Sequence, residues 1–149
     1  MSTVHVQIEI DAPPRLVWDT IMDPERLSEW VTIHRSVKVK SDDPRVEGAQ
    51  MDQVLHVVGV SFKVHWTLEL SRPPREAEWQ GRGPALSRAV TRYRLSGDSD
   101  GPTTFDYVNE FHPPGGALGN AASRVLVGHI PEHEAHDSLT RLKALIEGK

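Results

Sequence analysis

Apolar and polar residues alternate along Thr3–Asp11, with Val4, Val6, Ile8 and Ile10 on one side and His5, Gln7, Glu9 and Asp11 on the other. Period two sends successive side chains to opposite faces, so the stretch predicts a half-buried strand. Ala12-Pro13-Pro14 ends it, and a proline suits the first turn of a following helix. Arg15–Met22 brings Val17 and Ile21 one turn apart with Trp18 beside them, which predicts that helix. Asp23-Pro24-Glu25 starts a second short one, with Asp23 as N-cap and Pro24 at its first position, ending near Trp30.

From Ile33 the pattern returns to period two. Ser36–Lys40 alternates, Ser41–Gly48 turns, and Met51–Val58 with Ser61–Ser71 predicts a hairpin about Gly59. The second arm puts Phe62, Val64, Trp66, Leu68 and Leu70 on one face and Lys63, His65, Thr67 and Glu69 on the other. Arg72-Pro73-Pro74 breaks it. Glu76–Gly81 carries Ala77 and Trp79 on one side. Gly81–Pro84 then reads as a turn, either an ordinary hairpin connection or a gate. Ala89–Leu95 groups Ala89, Thr91, Tyr93 and Leu95, and Phe105–Phe111 groups Phe105, Tyr107, Asn109 and Phe111. His112-Pro-Pro-Gly-Gly continues neither element. Beyond it a helical spacing predicts one long helix from about Gly116. The order of strand, two helices, six strands and long helix predicts an α+β fold with an antiparallel sheet around that helix.

Composition narrows the function classes. The chain has 149 residues, 38% hydrophobic and 26% charged, the size of one domain. Without cysteine, disulfides, thiol nucleophiles and thiolate metal sites are excluded. A formal charge of −4 argues against a nucleic-acid partner. The first residues carry no basic region followed by an apolar run, and no apolar stretch approaches ~18 residues. A cytoplasmic protein with no stable membrane insertion is therefore expected. No phosphate-cradling glycine motif occurs, so no cofactor is expected.

Several segments carry a resemblance. DAPPRLVWDTIMDPERLSEW resembles the opening of START-like (SRPBCC) domains, in particular the polyketide cyclase/dehydrase and lipid-transport family. PPREAEWQGRGP, FDYVNEFHPPGGALG and SLTRLKALIEG are similar to the same family, in the same order. The resemblance implies a single START-like domain over residues 1–149 with the helix-grip fold: a seven-stranded antiparallel sheet curled around the C-terminal helix, enclosing a pocket for a hydrophobic molecule. Members of that family include cyclases, carriers, receptors and proteins of unknown role, so fold alone leaves activity open.

The candidate ligand-binding residues are Phe62, Trp66, Trp79, Thr91, Tyr93, Phe105, Tyr107, Asn109 and Phe111, all on the faces that alternation turns inward. Seven are aromatic and could simply fill a core. The polar groups of Thr91, Tyr93, Tyr107 and Asn109 among them suit an apolar pocket with a few orienting groups. Asn109 could bond a ligand carbonyl or a neighbouring loop. Glu110 faces outward unless a bulge turns it in. His129, His133 and His136 have helical spacing that can hold zinc, but lie about 80–160° from the stripe Ala121, Gly128, Ala135, Leu139, Leu142 and Ile146, so no metal is expected. His34, His56 and His65 have no Ser or Cys partner at a recognisable spacing. The expected function is binding of a small lipid-, polyketide- or aromatic-like molecule. The alternatives are a cyclase or dehydratase in which Tyr93, Tyr107 and Asn109 orient the substrate, and a protein-interaction or co-chaperone-like domain. Whether the chain forms a homodimer is left open.

Overall fold

The computed structural model describes residues 2–57, 59–112 and 129–148. Strand β1 (Ser2–Ile10) is followed by helix α1 (Pro14–Ile21), a single 3-10 turn (Pro24–Arg26) and the short helix α2 (Leu27–Trp30). Six strands come next: β2 (His34–Val39), β3 (Gln50–Val57), β4 (Val60–Arg72), β5 (Glu76–Arg82), β6 (Arg88–Ser96) and β7 (Thr103–His112). Helix α3 (His129–Glu147) follows. The expected loop beyond His112, the helix start near Gly116, and the stripe positions Ala121 and Gly128 lie outside the described residues.

The seven strands form one sheet in the order β1-β7-β6-β5-β4-β3-β2, antiparallel at every pairing. This is the sheet and C-terminal helix of the helix-grip architecture. Local chemistry accounts for the element ends. Pro14 opens α1, where a missing N–H costs nothing. The Asp23 carboxylate accepts the Glu25 N–H at 3.0 Å and caps the 3-10 turn. Gly59 takes φ 78° in the β3–β4 connection, a conformation in which a Cβ is strained.

One expectation about facing is corrected. Leu70 does not stand with Val64, Trp66 and Leu68. Between Leu68 and Leu70 the β4–β5 register shifts, so Leu68 faces Trp79 while Leu70 faces Glu78. The extra residue of this bulge, Glu69, moves Leu70 off the inner face.

Ile10, Trp18, Leu68, Phe105, Leu139 and Leu142 are fully buried and form the centre of the core. They gather where α1 and α3 cover the sheet. The end of α3 is tied to β1: Lys143 Nζ donates to the Glu9 carbonyl at 2.7 Å and the Asp11 N–H to Glu147 Oε2 at 2.8 Å. Burial then declines along β7, from Thr103 and Phe105 to half-buried Tyr107, Asn109 and Phe111. Packing is complete at one end of the strand and leaves space at the other.

Candidate functional site

That space is a cavity of about 160 Å³ between the inner face of β3–β7 and helices α2 and α3. The strands supply most of its wall. Eight of the nine candidate residues line it: Phe62 and Trp66 from β4, Trp79 from β5, Thr91 and Tyr93 from β6, and Tyr107, Asn109 and Phe111 from β7. Phe105 does not. It is 0% exposed and lies beneath the two tyrosines, its ring edge-on to Tyr93 at 5.4 Å and to Tyr107 at 6.4 Å. Alternation assigns a residue to a face, and depth along that face is set by which helix covers it.

The β1–β7 and β6–β7 registers run without a shift, so no bulge turns Glu110 inward. Glu110 instead accepts from Arg92 at 2.9 Å on the outer face, and Glu78 accepts from the same guanidinium at 2.8 Å. Glu110 first and Glu78 second hold that guanidinium more firmly protonated than usual. One arginine thus spans β5, β6 and β7 directly behind the cavity wall.

Inside, the polar groups divide by partner. Thr91 Oγ1 donates to Asn109 Oδ1 at 3.2 Å. Trp66 Nε1 donates to Gln53 Oε1 at 2.9 Å, and Gln53, 6% exposed, meets His34 Nδ1 at 2.9 Å through its amide nitrogen. An indole N–H can only donate, so Gln53 must turn its amino group to His34, whose Nδ1 accepts. The imidazole therefore carries its proton on Nε2 and stays neutral. Burial also lowers the His34 pKa from its ordinary value of 6.5. The unfolded chain then binds more protons than the folded one as pH falls through 6.5, so stability is full above that pH and declines below it until the lowered pKa is passed. Thermal unfolding followed from about pH 8 to about pH 5 is expected to show this decline, and His34→Gln is expected to flatten it.

The Tyr93 and Tyr107 rings lie 6.1 Å apart. Neither hydroxyl has a hydrogen-bond partner among the described residues. Burial pushes the Tyr107 phenol up to about 12, and burial together with the neighbouring Tyr107 raises Tyr93 well above its ordinary range. Both remain neutral donors at any physiological pH. Trp30, 2% exposed, also lines the cavity, and its Nε1–H is buried without a partner among the described residues.

Helix α3 closes the opposite side with Glu134, Ala135, Ser138 and Leu139. Thr32 stitches the α2–β2 connection to this helix: its N–H donates to Ser138 Oγ at 3.1 Å and its hydroxyl to Glu134 Oε2. Gln53, Glu134 and Ser138 were not anticipated as wall residues. Gln53 interrupts the inward row Met51, Leu55 and Val57, and Ser138 interrupts the stripe Ala135, Leu139 and Leu142. A polar residue on an apolar face was the available signal.

The Gly81–Pro84 expectation is corrected. Gly81 and Arg82 belong to β5, and the loop begins at Gly83. A Cβ on Gly81 would lie 2.7 Å from Trp66 ring carbons and from Val64 Cγ1, so the bare backbone is what lets the indole lie flat across β5. The loop is closed by Gly83 N–H to the Ser87 carbonyl at 2.9 Å and Ser87 N–H to the Pro84 carbonyl at 3.0 Å. Arg88, exposed to solvent, also lines the cavity, which therefore reaches the surface beside this loop. His133 is 73% exposed and pairs with Asp137 at 3.2 Å on the outer side of α3, and His136 is exposed too. No three His, Asp or Glu side chains among the described residues are grouped to hold a metal ion.

Comparison with known proteins adds lineage to this geometry. The chain is 25% identical over 135 residues to Uncharacterized protein Rv1546 of Mycobacterium tuberculosis, covering 87% of this chain and 92% of that protein. It is 26% identical over 83 residues to Toxin Rv0910 of the same organism, covering 56% of this chain and 58% of the toxin. Among solved structures, TTHA0849 from Thermus thermophilus superposes with a TM-score of 0.77 at 16% identity, covering 98% of this chain and 97% of that one. That likeness establishes the fold alone. The sequence model of the family described as polyketide cyclase / dehydrase and lipid transport matches residues 1–147, and the chain belongs to that family.

Proposed function

We propose that this protein binds a small hydrophobic molecule in the cavity between its sheet and α3. The observation that carries the reading is the wall itself: aromatic and aliphatic side chains enclose about 160 Å³ and expose a few polar groups at fixed positions. A small domain that needed only a core would pack that space, because an unfilled apolar void forfeits contact energy. Family membership supports the same reading.

Native mass spectrometry of protein purified from its own host tests it. A co-purifying small molecule is the expected result. Apo protein alone, with a dimer peak, would favour an interaction domain instead. The large apolar residues exposed among the described ones are Leu16, Val39, Val46, Val60 and Leu86, spread over separate parts of the chain, and this scatter lends little to the interaction reading.

A second reading, a cyclase- or dehydratase-type enzyme, draws on one observation. Glu134, Tyr93 and Tyr107 line the same cavity, and a carboxylate that shares a cavity with neutral donors can move a proton next to a carbonyl. Conversion of the co-purified molecule by fresh protein, seen as a second mass, would select it.

A further inference from the structure

We infer that the ligand is a neutral molecule of about one aromatic ring that carries a carbonyl oxygen, as in an aryl ketone or aldehyde. This rests on the cavity-binding reading and specifies its chemistry.

The size follows from the space. A cavity of about 160 Å³ is close to the ~150 Å³ of an engineered apolar void that takes up benzene. One ring with a short substituent fits within it.

The polarity follows from which groups already have partners. Three wall oxygens each already accept one hydrogen bond, Asn109 Oδ1 from Thr91, Gln53 Oε1 from Trp66, and Glu134 Oε2 from Thr32, which leaves the other Glu134 oxygen as the acceptor on the α3 side. The Gln53 amino group is engaged too, by His34. The cavity-lining groups left without partners among the described residues each hold a hydrogen to donate: the Tyr93 and Tyr107 hydroxyls and the Asn109 amino group, whose oxygen is held by Thr91. A buried polar group without a partner costs free energy, so this wall gains most from a ligand that brings an acceptor.

Neutrality follows from charge. Among the described residues the one cation on the wall is Arg88, exposed at the surface end, while Glu134 lies on the α3 side. An anion placed among the aromatic rings would be desolvated without a counter-charge, which disfavours a carboxylate there.

The test compares acetophenone, ethylbenzene and benzoate by isothermal titration calorimetry and ligand-observed NMR. Acetophenone is expected to bind about tenfold more tightly than ethylbenzene, its near-isostere without the oxygen, as one or two net hydrogen bonds would give. Benzoate is expected to bind more weakly than acetophenone. Tyr93→Phe and Tyr107→Phe, which keep the ring and remove one donor each, are expected to narrow the preference for the ketone over ethylbenzene. Equal affinity for ethylbenzene and acetophenone would overturn the carbonyl inference while leaving cavity binding standing. Benzoate binding tightest would overturn neutrality. Binding of none of the three by folded protein would remove both this inference and the reading beneath it.

Discussion

Gly81→Val is expected to fill the cavity, lowering the affinity for a one-ring probe by about tenfold or more while the sheet still folds. Any Cβ at position 81 would stand 2.7 Å from the Trp66 ring and from Val64, far inside van der Waals contact. The backbone of β5 cannot retreat, because Gly81 is paired with Trp66 on one side and Ala89 on the other. The ring must therefore turn, and turning breaks its 2.9 Å bond to Gln53. The nearby space is the cavity, so the indole enters it. Overpacking of this kind costs about 1–3 kcal/mol of stability, and a displaced indole in about 160 Å³ leaves no room for a second ring. Calorimetric titration with acetophenone and urea unfolding of the same variant separate the two effects. Full affinity in Gly81→Val would mean that Trp66 is not the wall on that side.

Phe105→Ala is expected to be the most destabilising change in β7, by about 3–5 kcal/mol. Phe105 is wholly buried and meets both tyrosines edge-on. Its removal takes away a large apolar surface and leaves a hole that the paired strands cannot close. Many domains have only about 5–15 kcal/mol in total, so a sizeable fraction of this variant should unfold at about 37 °C. Chemical denaturation reads the loss directly. The same change on Phe111, half-buried at the cavity end of the strand, should cost far less, and comparable losses at both positions would contradict the gradient of packing along β7.

That gradient marks the limit of what the sequence disclosed. Phe105, Tyr107, Asn109 and Phe111 share a face because a strand has period two, and the structure keeps them there. Nothing in the spacing distinguishes Phe105, which carries the core, from Phe111, which borders a void. The difference comes from the placement of α1 and α3 over the sheet, a contact between elements distant in sequence. Leu70 failed for a related reason. Glu69 adds one residue to β4 alone, and a bulge leaves no mark in a single strand's alternation. Glu134 and Ser138 join the wall because Thr32 anchors α3 there, and that pairing spans more than a hundred residues. The strands, both short helices and Asp23 as a cap were legible because their causes are local.

The place of β1 beside β7 has a consequence for how the molecule comes to exist. Ser2 pairs with Phe111 and Ile10 with Thr103, so the first strand made must wait for the last before its ladder can close. Loop closure over about a hundred residues is entropically expensive before any contact rewards it, and domains with such remote pairings fold slowly. During synthesis the β2–β6 meander can assemble from neighbours, whereas β7, bearing Tyr107 and Asn109, becomes fully flanked only when β1 docks. The cavity wall is thus completed only once β1 and β7 have met, and a nascent chain that stops short of β7 has strands but no cavity.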